Sequence, residues 1–129
     1  MLSIDANIIV RALLGDNPFQ SDQARALIKA NRVWVSTTVL LEVEWVLRSA
    51  YKLPKSDVIA NLTAFVGLAN VTLQEHQRVA TALDWAAKGM DFADALHLAA
   101  TQSSDSFVTF DQQLATKAKG MGAGAVQLL

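Results

Sequence analysis

The chain contains no cysteine, which excludes disulfide frameworks, thiolate metal sites and thiol nucleophiles together. That absence says little about compartment. Histidine is scarce, with only His76 and His97. His76 has no carboxylate or second histidine at ligand spacing and is expected on the surface. No apolar run approaches the roughly 20 residues a membrane span needs. Asp5 interrupts the first apolar residues before a signal-peptide core forms, so the expected location is cytoplasmic. An excess of one charge is also missing. With 11 basic and 12 acidic residues the net charge is −1, unlike a uniformly basic nucleic-acid binder. The average conceals local imbalance if four acids share one site. The remainder is then 11 cations against 8 anions, or +3, which permits a phosphate-binding rim.

What is present fits one domain over residues 1–129. The length is enough for a real core, and 52% of the chain is hydrophobic, which argues against disorder. Short β-rich runs at residues 2–4, 33–35, 71–73, 106–110 and 125–128 alternate with helical patterns. Helices are expected at 7–14, at 21–30, from the hydroxyls of Ser36, Thr37 and Thr38 to about Tyr51, after Pro54 up to Gly67, at 75–88 closed by Gly89, from Asp91, and at 112–119. This order predicts an α/β fold, with a parallel central sheet of about five short strands flanked by helices in three α/β/α layers. The glycine-rich run from Gly120 to Gly124 precedes a strand. A dinucleotide loop follows a strand and opens a helix, so this run reads as a connection.

In a parallel sheet, ligands bind beyond the carboxyl ends of the strands. Asp5 follows the first strand, Glu42 lies in the second helical turn after the second, and Asp111 follows the fourth. Asp94 opens the helix that returns before that fourth strand. If this helix packs antiparallel to the strand, Asp94 and Asp111 come close together. Asp5 has an alternative reading as a helix cap. Asp91 is read as the cap of the helix in which Asp94 stands at the third position. Two glutamates of the third helix differ in their neighbours. Glu44 stands four residues before Arg48, as in a solvated surface pair. Glu42 falls among Thr38, Val39, Trp45, Val46 and Ser49 with no basic residue one turn away, where burying an unpaired carboxylate is costly; the alternative is a partly exposed glutamate at the edge of the stripe.

Four anions at one edge repel unless a multivalent cation neutralises them. An all-oxygen donor set without histidine or cysteine suits a hard cation, Mg²⁺ or Mn²⁺ rather than Zn²⁺. Such an ion supplies an activated water and stabilises charge on a phosphodiester, which points to metal-dependent hydrolysis of nucleic acid.

The residues Asp5-Ala-Asn7, Leu41-Glu42, Phe92-Ala-Asp94-Ala-Leu-His97-Leu-Ala and Val108-Thr109-Phe-Asp111, in this order, resemble the PIN domain over essentially the whole chain. More closely they resemble the VapC-type ribonuclease toxins of toxin–antitoxin pairs. The resemblance implies Mg²⁺- or Mn²⁺-dependent endoribonuclease activity on RNA. Asp5, Glu42, Asp94 and Asp111 match the acidic quartet, and Asn7 and Thr109 match the supporting polar positions. Chemistry assigns Asp5, Asp94 and Asp111 mainly to the metal. Glu42 either binds it through water or orients and deprotonates the attacking water. Some relatives carry another acid after the last motif, where this chain has Gln112 and Gln113, so a second tightly held metal lacks that support. His97, one turn beyond Asp94, is a candidate to hold it by a hydrogen bond. The resemblance further implies a homodimer and a cognate antitoxin that blocks the acidic pocket, with the first, third and fourth helices apolar enough to leave a groove.

Trp34, Trp45 and Trp85 have apolar neighbours and are expected in the core or an interface. Arg11, Arg48, Lys52 and Lys55 are candidates for an RNA path, against the ordinary reading of solvated faces. Two competing readings are a receiver-like phosphoacceptor and a PIN-like binding module without catalysis. The first needs a paired acid after strand one and a lysine at the last strand, and neither Asp5 nor residues 125–129 supply them. The intact quartet disfavours the second.

Overall fold

A computed structural model describes residues 1–101 and 103–129. The chain forms two compact units, Met1–His76 and Gln77–Leu129.

In the first unit, strands β1 (Leu2–Ser3), β2 (Val33–Val35) and β3 (Val71–Leu73) alternate with helices α1 (Ala6–Leu13), α2 (Pro18–Ala30), α3 (Thr37–Ser49) and α4 (Lys55–Val66). The strands are parallel in the order β1-β2-β3, with Leu2 opposite Val33 and Val33 opposite Val71. The middle strand β2 buries Val33 and Val35 on one side, as expected of a parallel strand covered by helices. Helix α2 starts before the expected residue 21, because Asn17 caps it by accepting from the Gln20 N–H at 3.2 Å and Pro18 stands at its first turn. Ser36 accepts from the Val39 N–H at 3.2 Å and opens α3. The buried stripe of α3 is Leu40, Val43, Glu44 and Leu47, at the spacing of one helical face. Trp45 points away from it and is 57% exposed. That removes Trp45 from the core and leaves the interface reading of it, since Trp45 falls outside the face that carries Leu40 and Leu47. Asn70 ties the start of β3 to the end of α2, donating to the carbonyls of Ile28 and Asn31.

From α5 (His76–Ala87) onward, the second unit holds α6 (Phe92–Ala99), β4 (Phe107–Thr109), α7 (Gln112–Ala118) and β5 (Val126–Leu128). Strands β4 and β5 are parallel, Val108 facing Gln127. Gly89 adopts φ +113°, a conformation that favours glycine, and terminates the α5 segment. Trp85 is buried, and its indole N–H donates to the Met121 carbonyl at 3.0 Å. Val79, Leu83, Met90, Phe92, Leu98 and Leu114 are buried with it.

The α/β class, the alternation and the parallel pairing are as expected, and they are consistent with a PIN-like fold. The pairing differs in one respect. The five strands form a three-stranded and a two-stranded sheet among the described residues, not one continuous sheet. Strands of two or three residues have few backbone groups with which to extend a ladder. Among the described residues no helix is long and apolar enough to cross a membrane.

Candidate active site

In the first unit, the Ile4 N–H bonds to the Trp34 carbonyl at 3.2 Å and carries the chain out of β1. Asp5 follows as the N-cap of α1, its Oδ1 accepting from the Ala6 N–H at 2.7 Å. The capping reading of Asp5 is therefore correct as geometry. It does not exclude a ligand role, because the residue is exposed and only one of its oxygens takes that bond. Asn7 lies on the first turn of the same helix, also exposed. Since β1 and β2 are parallel neighbours, Asp5 and the start of α3 leave the sheet at the same edge.

Glu44 departs from the solvated environment expected of it, and Glu42 follows the exposed one of its two readings. Glu44 is 3% exposed and is held by Arg48, whose Nε donates to Oε2 at 2.9 Å. Glu42 is exposed. A pair at i and i+4 was correctly read, but its face is the one carrying Leu40, Val43 and Leu47 inward. Glu42 is thus a solvated carboxylate, which suits it for contact with water and not for burial.

In the second unit, Asp91 caps α6, accepting from the Asp94 N–H at 3.1 Å through Oδ2. Asp94 stands in the first turn and is half-buried. Burial pushes its carboxyl above the ordinary range, and the charges of Asp91 and Asp111 push it further in the same direction, while His97 and Lys117 oppose them. Asp111 thus acts on Asp94 electrostatically across α7 and α6. Asp111 caps α7 by accepting from the Leu114 N–H at 3.1 Å, and its own N–H donates to Thr109 Oγ1 at 3.0 Å. Thr109 therefore supports Asp111 through its backbone. His97 acts on Asp94 as a charge. Lys117, which donates to the Gly89 carbonyl at 2.8 Å, also faces Asp94 electrically, and no spacing rule in the sequence announced it.

Among the described residues, no three histidine, aspartate or glutamate side chains are gathered closely enough to hold a metal ion by themselves. The donor set still has the chemistry of a hard-cation site. Asp94 and Asp111 are oxygen donors, and the Asp111 charge disfavours ionisation of Asp94. Mg²⁺ commonly keeps several waters and takes only one or two protein carboxylates, so the pair fits a hydrated divalent ion and not a closed cage.

A family model, described as the PIN domain, matches residues 2–120. The chain belongs to the PIN domain family. The matched span contains Asp5, Asn7, Glu42, Asp94, Thr109 and Asp111. PIN domains are in general nucleases, and such nucleases typically use divalent metals. No curated protein matches the chain.

Proposed function

We propose that this PIN domain is an Mg²⁺- or Mn²⁺-dependent endoribonuclease and the toxin of a toxin–antitoxin pair. The observation that carries the metal-dependent reading is the crowding of Asp94 by the charges of Asp91 and Asp111, which a bound cation would relieve. The VapC-like order of motifs supports the toxin assignment. The same reading assigns a single nuclease domain, a homodimer, a cognate antitoxin and a cytoplasmic location.

In this mechanism Asp94 and Asp111 would hold the ion together with waters, and Asp5 is assigned to it by its match to the family's acidic quartet. When bound, the divalent ion neutralises charge building on the scissile phosphate and makes water more acidic. Glu42 would accept the proton of the attacking water as the water oxygen bonds to phosphorus and the bridging P–O bond breaks, the leaving oxygen taking its proton from solvent water. Thr109 positions Asp111 through its backbone, and Asn7 is assigned to the support of Asp5 by its match to the family motif. The bond from the Ala6 N–H holds the Asp5 carboxylate and the Thr109 hydroxyl holds the Asp111 backbone before substrate arrives, so little reorganisation is left for the reaction.

Purified protein incubated with labelled RNA tests this reading. Cleavage should require Mg²⁺ or Mn²⁺ and stop with a chelator. Equal cleavage in chelator, or none with either metal, overturns it.

A further inference from the structure

The mechanism above draws only Asn7 from a groove between α1 and α2, which pack together in the first unit. It encloses about 760 Å³, a volume typical of small-molecule and single-residue sites. Asn7, Ile8 and Arg11 line it from α1, and Gln20, Gln23 and Leu27 from α2. The carboxamides of Asn7, Gln20 and Gln23 are exposed and make no hydrogen bond among the described residues.

The charge on this lining is already satisfied. Arg11 donates to both oxygens of Asp16, at 3.1 and 3.0 Å, and to the Tyr51 hydroxyl at 3.2 Å. Burial would raise the Asp16 carboxyl, but the bonds from Arg11 and Tyr51 and the Arg11 charge hold it below the ordinary range. The groove therefore has no uncommitted cation for a phosphate among its described lining and no carboxylate for a metal. It offers flat amides, each with two donors and an acceptor, over the apolar side chains of Ile8 and Leu27. Phe19 stands one turn before Gln23 on α2 and is 73% exposed. Carboxamides match the hydrogen-bonding edges of a nucleobase, and an exposed aromatic ring matches its face.

We propose that this groove is a nucleobase subsite for single-stranded RNA, with Gln20 and Gln23 reading the edge of an unpaired base and Phe19 stacking on it. Asn7 lies two residues from Asp5, so the bound base would lie beside that acid. The choice of RNA as ligand rests on the nuclease reading, and the subsite adds the residues that select where it cuts.

The test compares wild type with Gln20→Ala/Gln23→Ala and with Phe19→Ala. One readout is fluorescence anisotropy with labelled single-stranded A, C, G and U oligoribonucleotides in chelator. The other is cleavage of a random-sequence RNA pool with Mg²⁺, the cut ends being sequenced. All three side chains are exposed, and melting should be unchanged. We expect about tenfold weaker binding to the preferred oligonucleotide in each variant. In cleavage we expect about tenfold higher KM, unchanged kcat and loss of base preference at one position beside the cut. Unchanged affinity and an unchanged cleavage pattern overturn the subsite while leaving the nuclease reading intact. Binding that depends on Gln20, Gln23 and Phe19 in a protein that never cleaves supports the subsite and overturns the nuclease reading. Wild type that neither binds nor cleaves RNA overturns both.

Discussion

The backbone N–H of Asp94 donates to Asp91 Oδ2 at 3.1 Å, so one acid closes the first turn of α6 and thereby fixes the other. Asp91 satisfies one of the donors that every helix start leaves open, and its charge is favourable beside that end of the helix dipole. The same charge disfavours ionisation of Asp94. Local folding and site electrostatics are thus coupled through a single capping bond.

Replacing Asp91 separates the two effects. Asp91→Ala removes the cap and should cost about 1 kcal/mol of stability. Asp91→Asn keeps a capping oxygen and should cost only a few tenths of that. Urea denaturation measures both. A full loss of cleavage in Asp91→Asn with stability unchanged would make Asp91 a ligand and not a cap.

The pH dependence of metal-free stability follows from Asp94. Its folded carboxyl lies above the ordinary value of about 3.9. The stabilising contribution is therefore complete below that ordinary value and is lost as pH rises through the raised one. In chelator at neutral pH, Asp94→Asn should melt at or above wild type, and the difference should vanish below about pH 4. Its cleavage should fall at least a hundredfold, because even outer partners of a metal site typically contribute tenfold to a hundredfold. A lower melting temperature for Asp94→Asn at neutral pH contradicts this account.

Glu42 and Glu44 should respond in opposite ways. Glu42→Gln alters an exposed side chain and should stay within about 0.5 kcal/mol of wild type, while cleavage drops by about a hundredfold or more. Arg48→Ala strips the buried Glu44 carboxylate of its 2.9 Å partner and should cost about 1–3 kcal/mol. Denaturant midpoints and cleavage rates on the same preparations make the comparison. Cleavage that survives in Glu42→Gln would remove that residue from the mechanism.

Thr109 provides a test of support without direct contact. Thr109→Val keeps the shape of the side chain but removes the acceptor of the Asp111 N–H, a bond of 3.0 Å. Cleavage should fall about tenfold to a hundredfold, while Thr109→Ser restores it. The loss should appear as a higher Mg²⁺ requirement, measured by titrating the metal at fixed RNA. Equal metal requirement in Thr109→Val and wild type would reduce the bond to a structural detail.

Much of this arrangement is legible in the residues because caps and breakers act locally. Asp91 with Asp94 three residues later, Ser36 before an apolar stripe, and Gly89 after α5 each announce an element end by the hydrogen bond or φ value they supply. That Asp111 acts on Asp94 follows the same logic, since a helix returning before a strand brings its start towards the end of that strand. The faces of α3 were not. Apolar residues occur on both sides of that helix, at Val39 and Trp45 as well as at Leu40, Val43 and Leu47. Periodicity alone does not say which stripe turns inward. The structure buries the one containing Glu44. The division of five strands into two sheets was equally hidden, because strand pairing depends on register between segments far apart in the chain. Lys117 was missed for a similar reason: its effect on Asp94 crosses from α7 to α6.

Diffraction from crystals soaked in Mn²⁺, recorded at the manganese absorption edge, addresses the central claim directly. The account predicts an anomalous peak about 2 Å from carboxylate oxygens of Asp94 and Asp111, lost in Asp94→Asn. Crystals of wild type that show no peak at these residues in millimolar Mn²⁺ would contradict it.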